Sequence, residues 1–217
     1  MRKLVTVFLL SICTALWVST SAIASQKIKD QYPGSVLYSK PVEFIPNVWS
    51  AIGATAPPTY ENSGHNNNLS FIVTGDGVVV INAGATDELA KALHDEIKQI
   101  TKEPVKLVIN ENGQGHAMLG NGYWVDQGVT VLAHAEADKE FRERGADILA
   151  RMKDYNRDKA GNSRVQPPTE TFEDEKIIEM GKYRIEVRDL GPAHSPGDIV
   201  VWLPEQKLVI SGDMAFH

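Results

Sequence analysis

The sequence has almost no cysteine: Cys13 is the only one among 217 residues. It falls inside an N-terminal apolar run, so a chain shortened past that run has none. Disulfides, thiolate metal ligands and a cysteine nucleophile are thereby excluded from the body of the protein. Positive charge is also scarce, with 22 Lys and Arg against 28 Asp and Glu and a net charge of −6. Without residues 1–24, which carry Arg2 and Lys3 and no acid, 20 basic side chains face 28 acidic ones. Nucleic acid is not an expected partner, because phosphate binding draws on clustered Lys and Arg. Long apolar runs are missing as well. The longest, Leu4 to Val18, is shorter than the ~20 residues that span a bilayer. What remains is ordinary: 42% hydrophobic and 23% charged residues describe a globular chain long enough for one domain with a core.

Residues 1–24 read as a signal peptide. Met1-Arg2-Lys3 is a short cationic start, Leu4 to Val18 is an apolar run broken by Thr6, Ser11 and Thr14, and Ala22-Ile23-Ala24 is a small-x-small cleavage site. The mature protein is therefore expected to be exported, in a periplasm or outside the cell. An Ala-x-Ala site looks bacterial, and no membrane association is expected once the segment is removed. The remaining chain divides into an extension over 25–41 and one domain over 42–217.

Past a Pro-rich entry, Leu69 to Thr74 and Val78 to Asn82 are β-branched runs around Gly75-Asp76-Gly77, a hairpin pattern. Thr86 caps a helix that has Asp87 and Glu88 in its first turn and Leu89, Leu93, Ile97 and Ile100 on one face. Val105 to Ile109 and Val129 to Ala133 read as buried strands. A helix from Ala135 to Tyr155 buries Phe141, Ile148, Met152 and Tyr155, and Gly145 weakens its middle. Asn156 to Thr169 is a polar connector. Lys176 to Met180 pairs with Tyr183 to Asp189, and Ile199 to Leu203 pairs with Leu208 to Ser211. No internal repeat is present. Two sets of strands with helices between them predict two facing sheets with helices outside.

Three polar loops follow buried strands: Asn110 to Asn121, Gly191 to Asp198 and Gly212 to His217. Each offers a metal-competent side chain, His116, His194 and Asp213 respectively. Imidazole and carboxylate groups at separated positions suit zinc, with three protein ligands and one open position as the usual catalytic arrangement. Each residue also has a plainer reading: His194 as a backbone-bonded loop histidine, Asp213 as a strand end or cap, His116 as a helix N-terminal residue. Asn112 and Gln114 read as turn formers ahead of weak ligands. His134 reads as a capping or packing residue, His94 as solvated, and His65 either as lining a pocket mouth or as serving a turn. His217 is terminal and proves nothing.

From Val42 to His217 the sequence resembles the metallo-β-lactamase superfamily. The resemblance is carried by Asn67-Asn68-Leu69 leading into Phe71-Ile72-Val73, by Val80-Ile81-Asn82-Ala83-Gly84, by Gly191-Pro192-Ala193-His194-Ser195-Pro196-Gly197-Asp198, and by Ser211-Gly212-Asp213. It implies an α/β fold of the αβ/βα four-layer sandwich type. It also implies that His194 is a zinc ligand, that Asp213 is a carboxylate able to bridge two metals, and that one or two zinc ions are bound. The activity implied is that of a hydrolase in which a metal-bound water attacks an ester, thioester, amide or lactam carbonyl of a small-molecule substrate.

The first motif departs from the family. Where the family shows His-x-His-x-Asp-His, this chain reads Glu111-Asn112-Gly113-Gln114-Gly115-His116-Ala117. Aligned without a gap, Asn112 and Gln114 replace two histidines and His116 replaces the aspartate; with a one-residue bulge, His116 takes the place of the last histidine. Both registers remove the two leading histidines. Asn82 stands where the family commonly has a supporting aspartate. The expected centre is thus His116, His194 and Asp213, with Asn112, Gln114 and Asn82 as weak or supporting groups. Amides are weak zinc ligands, so a non-catalytic or weakly metallated small-ligand-binding protein is the alternative. The resemblance further implies that the fold continues past His217 with helices, a strand and another ligand histidine. The C-terminal half of the domain over 42–217 is therefore expected to be incomplete, leaving apolar surface around Val209 exposed. The leader reading is checked by N-terminal sequencing of exported protein. Ser25 is the expected first residue, and a membrane-bound product beginning at Met1 would make the segment an anchor.

Overall fold

The computed structural model describes residues 32–215. The expected signal peptide, Cys13 and His217 lie outside the described residues. A seven-stranded sheet runs in chain order through β1 (Val42–Ile45), β2 (Val48–Ala51), β3 (Leu69–Val73), β4 (Val78–Ile81), β5 (Val105–Ile109), β6 (Thr130–His134) and β7 (Glu170–Phe172). Strands β1 to β4 pair antiparallel, and β4 to β7 pair parallel. A four-stranded antiparallel sheet has the order β11 (Leu208–Ile210), β10 (Ile199–Leu203), β9 (Tyr183–Asp189), β8 (Glu175–Met180). Four helices complete the fold: α1 (Asp87–Ile100), α2 (Gly115–Met118), α3 (Asn121–Asp126) and α4 (Ala135–Asn156).

Alternation along the strands builds two cores from the large sheet. On β4, Val78 and Val80 join Leu89, Leu93 and Ile97 of α1 and Trp124 of α3, whereas Val79 and Ile81 face Ile185, Val187, Ile199 and Val201 of the small sheet. All four β4 side chains are buried. At about 1.5–3 kcal/mol for each large aliphatic or aromatic side chain, this two-sided burial is what clamps the sheets together. The layers are helices, large sheet and small sheet, three of the four expected. On the outward face of the small sheet, Val209 is 48% exposed and Ile177 44%.

Several local readings hold. Thr86 accepts from the Leu89 N–H and caps α1. His134 accepts from the Glu136 N–H at the start of α4 and meets the Phe172 ring edge-on. Gly145 has a packing reason: a Cβ there would lie 2.7 Å from Val165, so the glycine lets the connector cross α4 closely.

Others need correction. The Pro-rich entry holds the hairpin β1–β2, whose four-residue strands are too short to show periodicity. The loop after β5 contains α2 and the start of α3, likewise short. The connector leads into β7, which adds a parallel strand beside β6. The extension over 25–41 is tied down where it is described: Leu37 is in the core, and the Tyr32 hydroxyl bonds Glu96 on α1. His94 is only partly solvated, since Nδ1 lies 2.9 Å from the Tyr123 hydroxyl and its ring packs on Trp124.

His65 lines no pocket mouth. It is fully buried, and Nδ1 accepts a 2.9 Å hydrogen bond from the Tyr38 N–H. Burial pushes its pKa down to about 4, partly offset by the Ala51 and Asn67 backbone beside the ring. The unfolded chain, titrating near 6.5, therefore binds a proton that the folded chain refuses. The stabilisation is whole above pH 6.5 and is lost as pH falls through 4, by up to about 3 kcal/mol. Urea unfolding from pH 7 to 4 is expected to show this slope in the wild type and to lose it in His65→Phe. The variant is also expected to be about 1–3 kcal/mol less stable at pH 7, because the Tyr38 N–H is left unpaired. An unchanged slope in the variant would place the acid sensitivity elsewhere.

Candidate metal centre

The ends of β4, β5 and β11 converge on one buried cluster. Asn82, just past β4, adopts a left-handed backbone (φ 69°). Its side-chain oxygen accepts from the Glu111 N–H at 3.0 Å. The Glu111 carbonyl in turn accepts from the Ile199 N–H at 2.9 Å, tying the loop after β5 to the start of β10. Buried Asn110 and Asn121 bracket this loop, exchanging side-chain hydrogen bonds at 3.0 and 3.1 Å while Asn110 also donates to the Ala117 carbonyl. The loop is thus wired by amides that need no titration.

From this frame Glu111 and the first turn of α2 present a carboxylate and an imidazole to the chain leaving β11. His116 Nε2 lies 3.3 Å from Glu111 Oε1 and 3.1 Å from Asp213 Oδ2. The three side chains are 5%, 13% and 15% exposed for Glu111, His116 and Asp213. One potential ligand atom from each falls within 4.8 Å of the others. Asn112 Nδ2 donates to Asp213 Oδ2 at 3.2 Å, and its Oδ1 accepts from the Gln114 N–H. Gly212 makes the approach feasible. Its φ is +51°, and a Cβ there would sit 2.0 Å from Glu111 Oε2.

His194 stands at the rim, its side chain 41% exposed and Nε2 3.9 Å from Asp213 Oδ2. Its loop is fixed from beneath by Asp198, which is buried and accepts from the N–H groups of His194 and Ser195 and from the Ser195 hydroxyl. Gln114 instead lines a groove of about 210 Å³ with Glu140, Arg144, Ile148 and Arg151. The structure therefore brings His116 and Asp213 together, sets Asn112 against Asp213 and Asn82 behind Glu111, and leaves Gln114 outside the cluster. Glu111 is the member sequence reasoning missed. Its signal was available, since it opens the altered motif directly after a buried strand.

Burial by itself would lower the His116 pKa, but the Asp213 and Glu111 carboxylates outweigh it and hold it up at about 9. For Asp213, burial acts to raise the pKa, and the close approach and charge of His116, helped by Asn112, bring it below the usual carboxylate value. Although the distances are short, the buried Nε2 atom has no well-directed hydrogen-bond partner. One imidazole nitrogen and two carboxylates gathered so closely form a donor set that a divalent cation fits, taking the place of the proton.

This two-sheet α/β arrangement is the metallo-beta-lactamase fold. A family model described as the metallo-beta-lactamase superfamily matches residues 117–217. A metallo-beta-lactamase type 2 from Elizabethkingia meningoseptica is 26% identical over 155 residues, covering 71% of this chain and 54% of its own length. The chain thus spans about half the length of that curated relative. Among solved structures, a metallo-beta-lactamase from Pontibacter korlensis superposes with a TM-score of 0.62 at 22% identity, covering 78% of this chain and 68% of that one. A stereoselective inverting sec-alkylsulfatase from Pseudomonas sp. superposes at 0.59 and 19% identity, covering 80% of this chain and 32% of that one. Over residues 117–217 the chain is similar to the metallo-beta-lactamase superfamily, and its fold is that of the solved metallo-beta-lactamases.

Since Gly212 alone lets Glu111 and Asp213 share one space, Gly212→Ala is expected to weaken metal binding by about 10–100-fold, the range for disturbed supporting groups. Metal titration followed by urea unfolding checks this. Wild-type metal affinity in a folded variant would show that the loop yields without cost.

Proposed function

We propose that the chain acts as an exported, metal-dependent hydrolase that cleaves an ester, thioester, amide or lactam carbonyl of a small molecule, without nucleic-acid or membrane partners. The observation that carries this is the buried His116 Nε2, held within 3.1 and 3.3 Å of two carboxylates and lacking a directed hydrogen bond. Zinc is the ion the superfamily implies. When bound, such a cation supplies Lewis acidity to a water and to a carbonyl oxygen.

The chain's own residues then divide the work. His116 and Asp213 hold the ion, and Asn112 fixes the Asp213 carboxylate. His194, 41% exposed at the rim with Nε2 3.9 Å from Asp213 Oδ2, would ligate the ion or hydrogen-bond the reacting group. Asp198 is a positioning residue that keeps this rim in register. Among the described residues no helix is long and apolar enough to cross a membrane. Export rests on the leader pattern of residues 1–24.

A second reading is favoured by one specific feature. In either register the two leading histidines of the superfamily pattern are absent, and Gln114, which stands at one of those positions in the ungapped register, lies outside the cluster. On that reading the protein binds a small ligand with little or no metal. Metal analysis of tag-free protein after exposure to excess zinc separates the two: about one or two ions per chain supports the enzyme, and close to none supports the binding protein. His116→Ala, His194→Ala and Asp213→Ala are each expected to lower occupancy far more than Asn112→Ala, because imidazole and carboxylate outbind an amide. Chelation is expected to abolish turnover in a panel of esters, thioesters and lactams. Equal losses from all four variants would make the amide a coordination arm.

A further inference from the structure

We propose that Glu111 is itself a metal ligand, and that the centre it forms with His116 and Asp213 accepts a hard divalent cation such as Mn²⁺ far more readily than an imidazole-rich centre would. This rests on the reading of the cluster as a metal centre.

The first support is charge. Glu111 and Asp213 are both largely buried, and each has the same imidazole beside it. No Lys or Arg among the described residues pairs with either carboxylate. Two largely buried carboxylates around one imidazole carry one more negative charge than that imidazole can offset even when protonated, and the excess is costly to bury. A dication with two carboxylates and a neutral imidazole is formally uncharged, whereas the same ion with three imidazoles keeps both positive charges.

Placement is the second support. The Glu111 backbone is held at both polar atoms, its N–H by Asn82 and its carbonyl by the Ile199 N–H. Its side chain occupies the space that any β-carbon on residue 212 would fill. A carboxylate so confined is delivered to one position. The third support is His116 Nε2, which approaches both carboxylates without being directed at either, as donors do around a common point.

Ligand chemistry then sets selectivity. Carboxylate-rich sets suit Mg²⁺ and Mn²⁺, while imidazole suits zinc. Replacing imidazoles by Glu111 therefore narrows the advantage of zinc over manganese, and that narrowing resides in one residue.

The test is binding, independent of turnover. Chelator-treated protein is titrated with Mn²⁺, read by loss of the free-ion electron paramagnetic resonance signal, and with Zn²⁺, read by competition against a chromophoric chelator. The wild type is expected to bind one Mn²⁺ per chain. Glu111→Gln is expected to weaken Mn²⁺ by about tenfold or more and Zn²⁺ by a smaller factor. Glu111→His, which restores an imidazole, is expected to keep zinc and lose manganese, with thermal unfolding confirming that both variants fold. Zinc binding without manganese binding, or a Glu111→Gln protein with wild-type manganese affinity, would overturn the proposal and leave the hydrolase reading standing. Failure to bind either ion would overturn both.

Discussion

Everything at the functional end of this molecule depends on bringing two carboxylates and one imidazole into a space that excludes most water. The cost of that gathering is set by low dielectric: like charges repel more strongly there than in solution, and solvation no longer compensates them. The chain meets the cost by rigidity. Two-sided burial of β4 between helices and small sheet fixes the strand end from which Asn82 reaches Glu111. The antiparallel register of β10 with β11 fixes the end from which Gly212 and Asp213 enter. Neither loop could hold its carboxylate against repulsion if the strands behind it were free to slide.

The supporting wiring is made of amides to an unusual degree. Asn82, Asn110, Asn112 and Asn121 each use the side-chain oxygen, nitrogen or both to fasten backbone or carboxylate groups. An asparagine adds no charge to a region already holding two. An aspartate at position 82, the residue the superfamily commonly has there, would bring a third carboxylate up to the Glu111 backbone. Asn82 and Glu111 thus make sense together. The neutral residue behind the loop is compatible with the acidic residue at its front, and the two departures from the family pattern read as one.

Much of the fold was legible because the burial pattern of its long elements is written in single residues. The β-branched runs around Gly75-Asp76-Gly77, the Thr86 cap and the spacing Leu89, Leu93, Ile97 are local signals whose tertiary context agrees with them. What escaped notice was short or non-local. β1, β2, α2 and α3 hold four to six residues each, too few for a period to emerge. β7 exists because β6 offers it an edge, which no property of Glu170 to Phe172 announces. The solvated reading of His94 and the pocket-mouth reading of His65 failed for the same reason, since their partners Tyr123 and Tyr38 lie 29 and 27 residues away. At the site, His116 and Asp213 were reachable from chemistry and spacing. Glu111 was legible only as the opening residue of the altered motif; that it joins the cluster depends on the missing side chain of residue 212, which no local pattern announces.

The matched stretch of the superfamily begins at Ala117, one residue past His116. The cluster therefore straddles the boundary of the likeness: Asp213 and the rim residue His194 come from the matched part, and Glu111, Asn112 and His116 come from the part before it. In a centre assembled from two loops, one loop can change its donors only if the other still delivers its own to the same point. Gly212 and the buried Asp198 secure that delivery here, the first by leaving room and the second by holding the His194 loop with three hydrogen bonds. A fixed half of this kind lets the variable half trade imidazole for carboxylate without dismantling the site. The trade changes the charge and hardness of the donor set while its location at the strand ends stays the same. On the proposed metal reading, a change confined to this loop alters the donor set while the fold that carries it stays the same.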